Sequence, residues 1–499
     1  MSMLQSRQNV LFLLILGFAI CVRFGNIGRE SLWLDEAISY LAATLPIALI
    51  VDNTIQSSHP PLYYLLLKGS MAWLPDDDRA LRLLGMGWNV LLLPLIYWFM
   101  VQLFGKRQYA WWAVVLVAFS PFHLLYSHEL RMYTQLMTLA VLVLACFWQA
   151  WQTDQWYWWL GFAVAGLLAV YTHLFAWLVL AGIGLFALLR WWQEGVIRWE
   201  RVVKTAVIIL ILILCFTPWL YTILFESRQD LGSLRPLHHE VDRDWLKPLI
   251  TPAFLLFGMS FNLPYTGLAL FLVAAIGIIF FLELRKVWHE GGIPLAVQLT
   301  GLVALLLLGV PLLVYIIRPF FLPERTMAAA SPFIIMLLAW ATSRRQTPLP
   351  YLVGATAVLM LVGSVLYHTS PLIKPPYRDA IQFVESQRQA GDIVVHTSDG
   401  SYLPTLRYVD DHHYHLLLAD DPDPRKPQWV YEAVGGTLYT TEEILSQRER
   451  LWLIVALEHS IEWQQEQVAL VQQQYPLLAD YDFAGIIVQL YDMTPQSEP

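Results

Sequence analysis

The chain has 499 residues, of which 57% are hydrophobic and only 14% charged, more apolar surface than a soluble fold of this length can bury. A soluble globular protein is thereby excluded. The net charge of −8 is spread over the loops and the C-terminal region without a basic stripe, which argues against nucleic acid as a partner.

In chain order, the first apolar run, 10–22, follows a basic residue but leads into Arg23-Phe-Gly-Asn26 in place of a small-residue cleavage site, so it reads as a retained anchor. Crossing a bilayer as helix takes about 20 apolar residues, and such runs fall near 9–27, 81–104, 109–126, 133–151, 156–173, 174–192, 202–222, 263–284, 294–317, 327–342 and 350–367. That makes about eleven spans. The run 61–74 is shorter, carries Lys68 in its middle and reads as an amphipathic helix lying along the interface. Aromatic clusters such as Trp156-Tyr-Trp-Trp159 and Trp191-Trp192 suit the two membrane–water boundaries. Cys21, Cys146 and Cys215 sit singly in apolar runs and form neither a disulfide framework nor a metal motif.

The turns holding Lys106-Arg107, Arg190 to Lys204, Arg285-Lys286 and Arg344-Arg345 fall on the same side as Arg7, which the positive-inside rule makes cytoplasmic. The other side holds comparable numbers of basic residues, mostly in the long segments 28–80 and 223–262, which weigh less. An odd number of crossings then leaves the N-terminus in the cytoplasm and the C-terminus outside. The expected fold is mainly α: a polytopic membrane domain of about 11 transmembrane helices over 1–367, with external loops 28–80 and 223–262, and a small extracytoplasmic α/β domain over 368–499. In that tail 378–390 and 461–474 read as helices, and 392–397, 451–456 and 485–491 as strands. The expected location is the plasma (inner) membrane of a cell envelope.

Sorted by this topology, the polar exceptions at span ends gather on the external face: Asp35-Glu36, His59, Ser127-His-Glu-Leu-Arg131, Thr172-His173, His238-His239 and Glu324-Arg325. Each has an ordinary reading as well. Asp35-Glu36 could be solvated surface, Arg131 a snorkelling side chain, His173 a hydrogen-bonded core histidine, and Glu324-Arg325 a surface ion pair. Carboxylates and cations on one face also fit a definite chemistry. Transfer from a lipid-linked phosphate needs a base for the attacking hydroxyl and cations for the phosphate charge that grows as the bond breaks. It needs no strong acid, because phosphate already leaves well, unlike the alkoxide of a glycosidase.

At Trp33-Leu-Asp-Glu-Ala-Ile-Ser-Tyr40, His59-Pro-Pro-Leu-Tyr-Tyr64, Arg82-Leu-Leu, Ser120-Pro121 leading to Arg131-Met-Tyr133, and Arg325 ahead of Pro332, the chain resembles the GT-C superfamily of membrane glycosyltransferases, in its protein mannosyltransferase-like and aminoarabinose-transferase-like branch. The resemblance spans residues 30–335 by motif order. It implies a polyprenyl-phosphate-linked sugar donor, a hydroxyl acceptor on protein, lipid or glycan, and contact with membrane lipid. By match, Asp35 would be the general base with Glu36 beside it, and Arg131 and Arg325 would hold the donor phosphate, with His59, Tyr63 and Tyr133 as further contacts. His128, Glu129 and His173 are other site candidates. The aminoarabinose-transferase pattern commonly has a lysine where this chain has His59. A divalent metal is possible in the superfamily, with His59, His238 and His239 as candidate ligands, though their spacing forms no metal motif.

Two other readings fit the same residues. A transporter or flippase for a lipid-linked sugar would put charged or broken-helix positions near the midplane, where Pro94 and Pro311 are the hints. A binding module would lie in the tail, whose polar patch Asp410-Asp-His-His-Tyr-His415 is otherwise a solvated loop.

Overall fold

A computed structural model describes residues 2–56, 59–194, 199–222, 247–258, 263–317, 323–344, 346–371, 374–418, 438–439, 450–456 and 462–493. From the N-terminus come α1 (Ser2–Phe24), then α2 (Leu34–Thr44), α3 (Ile47–Gln56) and α4 (Leu62–Met71), which are too short to cross a bilayer, and α5 (Asp78–Phe104). The bundle continues with α6 (Arg107–Phe119), α7 (Pro121–Ser127), α8 (Tyr133–Thr153), α9 (Trp156–Val170), α10 (Ala176–Glu194), α11 (Trp199–Tyr221), α12 (Lys247–Phe257), α13 (Leu263–Glu290) and α14 (Leu295–Ile317). It closes with the short α15 (Pro323–Thr326), α16 (Ser331–Ala341) and α17 (Leu349–Thr369).

Among the described residues, seven helices are long and apolar enough to cross a membrane (α5, α8, α10, α11, α13, α14, α17), and the bent pair α6–α7 makes an eighth. Segments of α1 and α9, and the stretch Ala328–Ala341, are apolar but shorter. Large side chains such as Leu214, Phe271, Ile278, Phe281 and Leu305 stand exposed along the outer helices. Water would penalise that surface and lipid does not, so the chain is an integral membrane protein. Arg285-Lys286, expected in a turn, lie inside α13, which runs on to Glu290.

The expected straight span over 109–126 is bent by 57° between α6 and α7. In an unbroken helix the Val117 carbonyl accepts from the amide of residue 121, but Pro121 has no N–H. Side chains take over the freed carbonyls. Arg23 donates to Val117 O at 2.9 Å and Ala118 O at 3.2 Å, and the Ser364 hydroxyl donates to Phe119 O at 2.7 Å. Ser120 caps α7, accepting from the His123 amide and donating to Leu256 O at 2.9 Å. Arg23, fully buried, also donates to Asn89 Oδ1 at 2.6 Å, and Asn89, His123 and Ser331 continue the chain. Backbone left open inside hydrocarbon is costly, and here it is repaired at the point of the break. The bend delivers the turn 128–132 against α2, where Leu130 and Arg131 make contacts.

Lys68 of α4 donates to the carbonyls of Ala43, Thr44 and Leu45 at 3.2, 3.3 and 2.8 Å, closing the C-terminal end of α2. The interfacial lysine is a helix cap.

The C-terminal unit contains α18 (Tyr377–Gln387), β1 (Ile393–His396), α19 (Asp399–Tyr408), β2 (His415–Leu418), β3 (Leu438–Tyr439), β4 (Arg450–Ala456), α20 (Glu462–Gln474), β5 (Leu477–Asp482) and β6 (Ile486–Asp492). Its sheet runs β3-β2-β1-β4-β6-β5, parallel from β3 to β4 and antiparallel across β6 and β5. β4 is apolar at every position after Arg450 because helices cover both faces. Trp452, Ile454 and Ala456 pack with Tyr377, Ile381 and Val384, while Leu451, Leu453 and Val455 pack with Val471. The expected strands and helices of this unit appear, and α19, β2, β3 and β5 are added. α19 lays Tyr402, Leu403 and Leu406 on Ala37 and Leu41 of α2.

Candidate active site

Asp35 and Glu36 occupy the first turn of α2, where the helix dipole favours anions. Glu36 turns inward and is fully buried. Arg82 of α5 grips it with two bonds, Nε at 3.2 Å and Nη2 at 2.9 Å, and the Leu130 amide adds a third at 2.8 Å. The Lys374 ammonium lies 3.0 Å from its second oxygen. Arg82 spends its other protons on the carbonyls of Ile27, Glu30 and Ser31 at 3.0, 2.8 and 3.2 Å. Burial alone pushes the Glu36 carboxyl up, but Arg82, Lys374 and the Leu130 amide outweigh it and hold the pKa down at about 2.

Asp35 points the other way and is a quarter exposed, as is Arg325, with which it forms an ion pair. The Arg325 guanidinium lies 4.3 Å above the Trp33 ring. Arg131, 6% exposed, donates to Asp35 O at 3.3 Å and Ser39 Oγ at 3.2 Å. Both guanidinium groups therefore meet at residue 35, although 194 residues separate them in sequence (325 − 131). Tyr63 and Tyr64, with rings 5.6 Å apart, lie beside Arg131, and Tyr133 is buried nearby.

Glu129 is 7% exposed, and its Oε2 has no hydrogen-bond partner among the described residues. Burial pushes its pKa up, and the opposing pull of Lys374 and Arg325 does not cancel the shift. Trp33 Nε1, Tyr63 OH, Arg131 Nε, Thr134 Oγ1 and Gln135 Oε1, on the same group of elements, are buried without a hydrogen-bond partner among the described residues.

The histidines fall into different places. His173 Nδ1 accepts from the Phe175 amide at 3.1 Å, and its ring lies 6.3 Å from those of both His59 and Tyr133. Burial, then the charges of His59 and Arg131, push its pKa down to about 3, so it is neutral. His128 bridges the Arg23 carbonyl at 2.6 Å and the Tyr367 hydroxyl at 3.0 Å, tying α1 to α17. His238 and His239 lie outside the described residues, as does the Glu324 side chain. No group of three or more His, Cys, Asp or Glu suited to a metal occurs among the described residues.

Two contributors carried no assigned role in the sequence reading. Arg82 appears only among the motif residues, and Lys374 falls in the expected tail domain, ahead of its first helix. The signal for Lys374 was a cation fixed before two prolines, Ile373-Lys-Pro-Pro376, directly after an apolar span.

Comparison with known proteins bears on the fold that carries these residues. The family model of dolichyl-phosphate-mannose-protein mannosyltransferases matches residues 58–221. A search of curated proteins found no match. Among solved structures, ArnT from Cupriavidus metallidurans in the apo state superposes with a TM-score of 0.62 at 12% identity, covering 99% of this chain and 100% of that one. The same protein bound to undecaprenyl phosphate gives 0.60 at 12% identity and the same coverage. The archaeal oligosaccharyltransferase AglB from Archaeoglobus fulgidus, in complex with an inhibitory peptide and a dolichol-phosphate, gives 0.52 at 11% identity, covering 97% of this chain and 74% of that one. At such identity the structures establish the fold, which is that of the GT-C glycosyltransferases. The resemblance to the mannosyltransferase-like and ArnT-like branch holds in the family model and the fold together.

Proposed function

We propose that this membrane protein of GT-C glycosyltransferase fold is an inverting glycosyltransferase that moves a sugar from a polyprenyl phosphate to an acceptor hydroxyl on the extracytoplasmic face. The observation that carries the reading is the meeting of Arg131 and Arg325 at Asp35. Asp35 takes the acceptor proton as the oxygen attacks the anomeric carbon. The bond to the lipid phosphate breaks on the opposite side, and the configuration inverts. The phosphate leaves with its charge held by Arg131 and Arg325 and its oxygens met by Tyr63 and Tyr133.

Arg325 is engaged by Asp35 in this structure. An arriving donor phosphate competes for that guanidinium, and its capture releases the carboxylate as a base. Glu36 has both oxygens occupied and is fully buried, so its part is to pin the turn that presents Asp35. Glu129, whose Oε2 has no hydrogen-bond partner among the described residues, is the second acidic group available to the acceptor or its sugar. His59, whose ring lies 6.3 Å from that of His173, serves as a hydrogen-bonding contact. Residues 1–367 form the catalytic membrane domain and 368–499 an extracytoplasmic domain, with the N-terminus in the cytoplasm of a cell whose plasma membrane holds the protein.

Transport without chemistry is less well supported. The polar chain Arg23–Asn89–His123–Ser331 is consumed in internal hydrogen bonds and offers no path for a sugar.

The test is sugar transfer from a polyprenyl-phosphate donor by the purified protein. Asp35→Asn should lose about 10²- to 10⁴-fold in rate while still binding the donor lipid. Full activity in that variant removes the proposed base.

A further inference from the structure

Glu36 is held by a cation from outside the membrane helices. Lys374 follows α17 and precedes α18, and its side chain is 9% exposed with Nζ 3.0 Å from Glu36 Oε2. Its ammonium also lies 5.9 Å from the Trp33 ring, whose centroid is 4.3 Å from Arg325. Trp33 thus contacts both cations, the partner of Asp35 and the partner of Glu36.

The segment carrying Lys374 is stapled on both sides. Upstream, Arg29 donates to His368 O at 3.2 Å and Ser370 O at 2.8 Å. Downstream, the Arg378 amide donates to Ser31 Oγ at 3.1 Å and its guanidinium to Arg29 O at 2.9 Å, with Asp78 at 3.3 Å. Pro375 and Pro376 stiffen the backbone between, and Tyr377 is locked in the core of the C-terminal unit. A desolvated ammonium is costly unless paired, so a lysine held there by so many contacts has its charge assigned to the carboxylate it meets.

We propose that Lys374 is a positioning residue for glycosyl transfer: from the C-terminal unit it completes the cation pair on Glu36 and so fixes the first turn of α2, which presents Asp35. The inference rests on the transferase reading above. The unit that supplies Lys374 also seats α19 on Ala37 and Leu41 of the same helix, so two separate contacts from one unit set the orientation of α2. The charged groups around Glu36 are Arg82 of α5, Asp35 of its own helix, Glu129 and Arg131 of the 128–132 turn, Arg325 of α15, and Lys374.

The experiment compares full-length wild type, Lys374→Met, Lys374→Arg, Glu36→Gln and the double variant Glu36→Gln/Lys374→Met, all purified and assayed for transfer from a polyprenyl-phosphate sugar. Lys374→Met should lower kcat by about tenfold or more, since small displacements of a reacting group are costly, with donor KM little changed. Lys374→Arg should restore most of kcat. In the Glu36→Gln background the same Met substitution should have little further effect, because the lysine acts through that carboxylate. An unchanged kcat in Lys374→Met, or an equal loss with Glu36 already neutralised, overturns the proposal. Should Lys374→Met fail to fold, Lys374→Arg decides: folded and active supports the role, folded and inactive defeats it. A wild-type protein that transfers no sugar counts against the transferase reading, whereas an active wild type indifferent to residue 374 counts against this inference alone.

Discussion

Glu36 and Glu129 are both buried carboxyls near Asp35, yet their surroundings push them in opposite directions. Glu36 has a folded-state pKa of about 2 against an ordinary 4.5, so its contribution to stability is complete above about 4.5 and is lost as pH falls toward 2. Glu129 is raised instead, so its contribution is present below the ordinary value and is lost as pH rises through its folded-state value. Glu129→Gln should therefore raise the thermal unfolding midpoint at neutral pH, and the gain should fade as the pH approaches 4.5, in a detergent melt followed across pH. The same change should lower transfer, the signature of a strained group kept for function. Arg82→Leu leaves Glu36 with one of its two cations and should cost about 3–5 kcal/mol, read as loss of folded protein at neutral pH. The sequence made Asp35-Glu36 visible as an acidic pair, because adjacent carboxylates beside apolar runs are conspicuous. It did not separate their roles, because inward and outward positions on α2 depend on partners at 82, 130, 325 and 374.

At the scale of elements, the site depends on two devices in and beside the α6–α7 break. Arg23 satisfies the carbonyls that Pro121 and the bend release, whereas Gly85 lets the next turn approach α5: a methyl group there would lie 3.1 Å from the Glu129 carbonyl oxygen. The two make opposite predictions. Arg23→Met should lower the thermal midpoint, since each buried orphan group costs about 1–3 kcal/mol, while the folded fraction keeps its kcat. Gly85→Ala should leave the midpoint nearly unchanged and lower kcat, because it displaces the turn bearing Glu129 and Arg131 by tenths of an ångström. Equal behaviour of the two variants in melts and assays would remove this division of labour. The apolar runs were legible because length and hydropathy suffice to find them. The bend was not, since Ser120-Pro121 also suits a straight span with a cap near its end, and only Arg23, Ser364 and Leu256 around it show that the break is stabilised. Nor was the end of α2 legible, because its last carbonyls are met by Lys68, which approaches from another element.

For the molecule as a whole, the ends of α1 and α17 bear on a question that counting spans leaves open. Asn26 and Arg29, just past α1, hydrogen-bond to the His368 carbonyl, and Arg29 reaches Ser370 just past α17. The two helices therefore emerge at the same end of the bundle, and a chain that leaves by the same face on its first and last crossings crosses an odd number of times. Asp78 fastens the C-terminal unit to this end, accepting from Tyr408 at 2.9 Å and pairing with Arg378 and Arg407 at 3.3 and 3.4 Å. With α1 as the first crossing, the α/β unit and the start of α1 lie at opposite ends, and the basic residues Lys106, Arg190, Lys204 and Arg344 make the end that holds the start of α1 the expected cytoplasmic one. A membrane-impermeant maleimide should label Asp411→Cys from outside intact cells and leave Gln5→Cys unlabelled until the membrane is opened. Native Cys21 and Cys215 are exposed on apolar helices, so both variants are made in a Cys21→Ser/Cys215→Ser background that leaves only the introduced cysteine to read. Labelling of the cysteine at position 5 alone would invert the topology and place Asp35 on the cytoplasmic side, where an acceptor outside the cell could never meet it.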